Sequence, residues 1–83
     1  MNIFEHVKAL SQDLRTAGEG EWSTTLLNAL AISGMTGEIL AEVRYELRKL
    51  RRTEIPKHLH LEDRIREALD FIDSQLGPWD EGP

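Results

Sequence analysis

Apolar residues recur at every third or fourth position in four stretches of this chain, and no run of useful length alternates apolar with polar. That spacing matches the 3.6-residue turn of a helix and not the two-residue period of a strand. Ile39, Val43, Leu47 and Leu50 repeat at intervals of four, four and three, with Leu40 beside them. Acids lead this segment (Glu38, Glu42, Glu46) and bases trail it (Arg48, Lys49, Arg51, Arg52), the order a helix dipole favours at its two ends. Thr36 is the expected cap at its start.

The other three stretches read the same way. Ile3, Val7, Leu10 and Leu14 predict a helix over residues 3–15, capped by Asn2 with Glu5 in the capping-box position. Thr16 to Gly20 then stops it with two glycines. Trp22, Leu26, Ala29 and Leu30, widened by Leu27, predict a second helix over residues 21–32. Because it carries little charge beyond Glu21, it is expected to be the most buried, with Trp22 in the core. Ser23, Thr24 and Thr25 are expected to cap backbone groups in its first turn. Gly34 is expected to take a left-handed cap conformation after it, and Met35 to plug the end of the core. The last stripe is Leu61, Ile65, Ala68, Leu69, Ile72 and Leu76, ended by Gly77-Pro78. Its helix is expected to open at about Pro56, the alternative being a connector over residues 53–60 with the helix beginning near Leu61.

Short connections between such helices favour antiparallel neighbours. The expected fold is all-α: a compact antiparallel bundle of four helices, with three helices and a docking arm as the alternative. It forms one domain, residues 1–77, followed by a flexible tail, residues 78–83, whose Trp79 is expected to fold back over the bundle. A chain of 83 residues buries only roughly 60% of the surface it exposes when unfolded. It has no cysteine, so neither disulfides nor thiolate–metal bonds can reinforce that core.

The N-terminal stretch mixes Glu5, His6 and Lys8 among its apolar residues and lacks the apolar run of a signal peptide. No stretch approaches the ~20 apolar residues that span a bilayer. A cytoplasmic protein without a membrane partner is the expectation.

Charge is unevenly placed. The chain carries net −5, with −4 on residues 1–43, +4 on residues 44–57 and −5 on residues 58–83. An acidic body attracts a basic protein and repels a nucleic-acid backbone at long range. The acids Glu38, Glu42 and Glu46, with Glu62, Asp63, Glu67, Asp70 and Asp73, are the candidate partner contacts. The basic patch Arg44, Arg48, Lys49, Arg51 and Arg52 supports the alternative of a nucleic-acid-associated regulator, and it could also dock onto the acids of a second copy in a homodimer. Against nucleic acid stand the acidic remainder and the lack of stacking aromatics other than Tyr45.

Chemistry of its own finds little support. His58 and His60 are two residues apart, a spacing that points side chains to different sides of a helix, so no metal site is expected. There is no nucleophile turn and no phosphate-cradling glycine loop. Neither an enzyme nor a cofactor is expected.

The run Ala17-Gly18-Glu19-Gly20-Glu21-Trp22, followed by Leu26, Ala29 and Leu30 and then Gly37-Glu38-Ile39-Leu40, resembles a pattern in small bacterial all-helical proteins of the toxin-immunity type. The likeness covers about residues 17–40. It implies a stoichiometric inhibitor that blocks a toxin through an acidic surface, and it transfers no contact residue by position.

Overall fold

The computed structural model describes residues 1–77; the tail and Trp79 lie outside the described residues. Four long helices and one short one account for most of the described chain: α1 (Ile3–Thr16), α2 (Gly20–Leu30), α3 (Thr36–Arg51), α4 (Ile55–Leu59) and α5 (Glu62–Leu76). The fold is all-α, with no strand among the described residues.

The apolar stripes become the core. Val7, Leu10 and Leu14 of α1, Leu26 of α2, Val43, Leu47 and Leu50 of α3, and Ile65 and Ile72 of α5 are fully buried. Asn2 caps α1 as its sequence position suggests, its Oδ1 accepting from the Glu5 amide at 3.2 Å. The stop after α1 is a Schellman motif. The Glu19 amide donates to the Leu14 carbonyl at 2.8 Å and the Gly18 amide to that of Arg15 at 3.1 Å. Gly18 makes this possible by taking φ +89°, a value that costs a residue with a Cβ.

Helix directions follow from which ends meet. Leu76 at the end of α5 lies beside Gly37 at the start of α3. Met1 to Phe4, at the start of α1, share a groove with Thr36 and Leu40 of α3 and with Phe71 and Gln75 of α5. Glu21 and Trp22 at the start of α2 border Glu46 and Lys49 near the end of α3. Neighbouring long helices are therefore antiparallel. α1 packs on α2 and α5, α3 packs on the same two, and α4 bridges α3 and α5.

Several expectations are corrected. The last stripe does not form one helix from Pro56. A five-residue helix, α4, ends at Leu59, and α5 starts at Glu62. Between them His60 adopts the left-handed conformation, φ 57° and ψ 41°, and the Leu61 amide donates to the Pro56 carbonyl at 2.8 Å. The left-handed residue and this bond are those of a Schellman-type closure with histidine where glycine is usual, and it turns the chain so that Leu61 is buried. α3 is capped by Met35 through its backbone, without a side-chain cap from Thr36. Met35 itself is 76% exposed and plugs nothing. Gly34 has φ +150° and does not cap α2, which already ends at Leu30 with Ala31 as its cap. Nor is α2 the most buried helix. It buries only Ser23, Leu26 and Ala29, and Trp22 packs half-buried against the core.

Ser23 does not act as a cap. Its hydroxyl is buried and has no hydrogen-bond partner among the described residues. A buried hydroxyl without a partner keeps its desolvation cost, and alanine is also the better helix former. Ser23→Ala is therefore expected to raise stability by about 1 kcal/mol in a urea titration. A loss of stability would show that the hydroxyl is satisfied.

Candidate functional site

The acidic residues singled out by sequence divide into three groups. Glu62, Asp63, Glu67 and Asp70 are exposed on α5, and Glu38 and Glu42 are exposed on α3. Glu46 is buried at 7% exposure, and Asp73 is half-buried.

Burial decides what each can do. Glu46 accepts from Lys49 Nζ at 3.3 Å, and that ammonium also sits 5.0 Å from the centre of the Tyr45 ring. Asp73 accepts from Arg44 Nη1 at 3.0 Å across the α3–α5 contact, and the same nitrogen donates to the Gly77 carbonyl at 2.9 Å. Glu46 and Asp73 thus belong to the interior and its seams and not to an exposed acidic face.

The remaining acids form a line. Asp63, Glu67, Asp70 and Ser74 follow one another at intervals of four, three and four on α5, all exposed, so they run along one side of the helix. Asp63 pairs with Arg66 Nη2 at 3.1 Å. Glu67 and Asp70 form no ion pair among the described residues. On α3 the exposed residues Glu38, Ala41, Glu42, Tyr45 and Lys49 make a comparable outer face. Tyr45, at 49% exposure, is the large aromatic on it. Sequence reading missed this role, although Tyr45 follows Glu38 by seven positions and Ala41 by four, the spacing of one helix face.

The linear basic patch is broken up by the fold. Arg44 turns inward to α5, with its side chain 12% exposed, and Arg48 is half-buried and already engaged. Lys49 serves Glu46 and Tyr45. Only Arg51 and Arg52 reach the far end of α3, where Lys57 of α4 and Arg66 of α5 join them around a cleft of about 440 Å³. Neither Lys57 nor Arg66 belongs to the linear patch, because the turn at His60 is what brings α5 back beside α4.

The histidines are placed separately. His58 and His60 are exposed, while His6 Nε2 donates to the Arg64 carbonyl at 2.9 Å, tying α1 to α5. Arg64 also pairs with Asp13 of α1. Among the described residues no three His, Asp or Glu side chains are gathered in a way that could hold a metal ion. No helix among them is long and apolar enough to cross a membrane. What the surface offers is charge in lines and clefts, which is suited to binding.

Comparison of the chain with family models, with curated proteins and with solved structures finds no match.

Proposed function

We propose that this chain is a non-enzymatic protein-binding module, an inhibitor- or immunity-type partner of a basic protein in the cytoplasm of a bacterium. The observation that supports it is the exposed line Asp63, Glu67 and Asp70 on α5, two of whose carboxylates form no ion pair among the described residues. Unpaired surface carboxylates on a rigid helix draw a cationic surface in and orient it. The outer face of α3 adds Glu38 and Glu42 with Tyr45 between the turns, and tyrosine is a residue type that anchors interfaces. The likeness of residues 17–40 to immunity-type proteins points to the same kind of partner.

The test begins with a basic protein recovered at fixed stoichiometry on the tagged chain, whose association is then followed by stopped flow. Glu67→Lys with Asp70→Lys is expected to slow association at least about tenfold at low salt, with the effect shrinking as salt rises. Asp73→Asn, which changes a carboxylate already held by Arg44, is expected to leave the association rate unchanged. Equal rates for the charge-reversed and native chains would remove α5 as the contact surface.

A further inference from the structure

We infer that the cleft at the α3–α4–α5 corner is a binding site for a small phosphate-bearing molecule, adjoining the acidic line proposed for the protein partner. Arg51 and Arg52 come from the end of α3, Lys57 from α4 and Arg66 from α5, with Thr53, Glu54, Pro56 and Glu62 completing the wall. Four cations and two acids give this corner a local charge of +2 in a chain of net −5. A positive concavity in an otherwise acidic molecule attracts anions by its own local field and not by the charge of the whole.

Size and chemistry narrow the ligand. The cleft, about 440 Å³, lies within the range of small-molecule sites, roughly 300–1,000 Å³. Arginine forks match the paired oxygens of a phosphate, and lysine adds a point charge. Arg51, Lys57 and Arg66 are exposed and able to turn toward a ligand, whereas Arg52 is already engaged and contributes mainly its charge. Arg66 pairs with Asp63 at 3.1 Å with both side chains well exposed, a weak and screened contact that is easily exchanged for a phosphate oxygen.

The rim argues against an extended polyanion. Glu54 and Glu62 border the cleft, and Asp63, Glu67 and Asp70 continue along α5 from it. A nucleic-acid strand leaving the cleft along that helix would meet this row of carboxylates, while a ligand that ends within the cleft would not.

The test is a nitrogen-15 NMR titration of the full chain with inorganic phosphate, pyrophosphate and adenosine 5′-diphosphate, with sodium chloride matching ionic strength. Saturable shifts confined to the amides of residues 51–55, 57 and 62–66 are expected with pyrophosphate or the nucleotide. Arg51→Gln with Lys57→Gln should weaken that binding at least about tenfold while the remaining spectrum stays native. Tighter binding of the nucleotide than of pyrophosphate would place its base in the cleft too, and equal binding would confine recognition to phosphate. Absence of saturation below about 10 mM, or shifts the double variant does not reduce, would overturn the site. A single-stranded oligonucleotide that binds more tightly than every small anion would overturn the choice of ligand.

Discussion

Leu47→Ala is expected to lose about 2–5 kcal/mol of stability, the range for deleting a fully buried leucine side chain to its Cβ. Leu47 has no exposed surface and lies on α3, the helix that packs against α2, α4 and α5. A single core in a chain this short supplies roughly 3–5 kcal/mol, so this one substitution is comparable with the whole. No disulfide offsets the loss, because the chain has no cysteine. Far-ultraviolet circular dichroism during urea titration should show the variant largely unfolded at room temperature. Leu47→Met, which preserves volume, should cost less than about 1.5 kcal/mol and keep a cooperative transition. Should the alanine variant unfold at nearly the native urea midpoint, the core would be able to collapse around the gap, and α3 would not be its centre.

That dependence on α3 was legible in the sequence, because packing in a small helical protein is written as spacing. The stripe Ile39, Val43, Leu47, Leu50 needs only the helical period to be read, and both ends of α1 and the start of α3 fall within one position of those expected. The break before α5 stood only as the alternative, a connector over residues 53–60, for a local reason. Closure of α4 uses a left-handed residue, and at His60 the sequence shows a histidine where glycine would have signalled it. Histidine enters that region more readily than most residues, but not often enough to mark a turn. The site was less legible still. Glu38, Glu42 and Glu46 are four apart, a spacing that drifts around the helix, and the drift carries Glu46 from the outer face into burial against α2. Sequence spacing shows that two acids are neighbours and does not show where the next helix lies. Arg44 and Asp73 are 29 positions apart, so no window along the chain could have joined them.

Arg44→Ala is expected to cost about 2–4 kcal/mol, more than any exposed arginine in the chain. One guanidinium nitrogen holds both the Asp73 carboxylate, at 3.0 Å, and the Gly77 carbonyl, at 2.9 Å. It therefore fastens the last turn of α5 and the residue beyond it to the middle of α3. Hydrogen bonds to charged groups contribute about 1.5–3 kcal/mol, and the apolar stem of a side chain only 12% exposed adds packing. The ion-pair share is smaller, since the Asp73 side chain is 34% exposed and regains water when the arginine leaves. A double-mutant cycle of Arg44→Ala and Asp73→Ala, read by urea denaturation, should thus give a coupling of about 1 kcal/mol, well below the total loss at Arg44. Arg44→Lys should recover part of the stability but not all of it, because an ammonium is more strongly hydrated than a guanidinium and costs more to hold in a site this buried. The same cycle separates structure from recognition. If Arg44 fastens α5, its loss lowers stability while pyrophosphate binding at Arg51 and Lys57 persists in the folded fraction. If instead Arg44→Ala leaves the urea midpoint unchanged and weakens anion binding, the arginine faces a ligand and the clamp on α5 is held by other contacts.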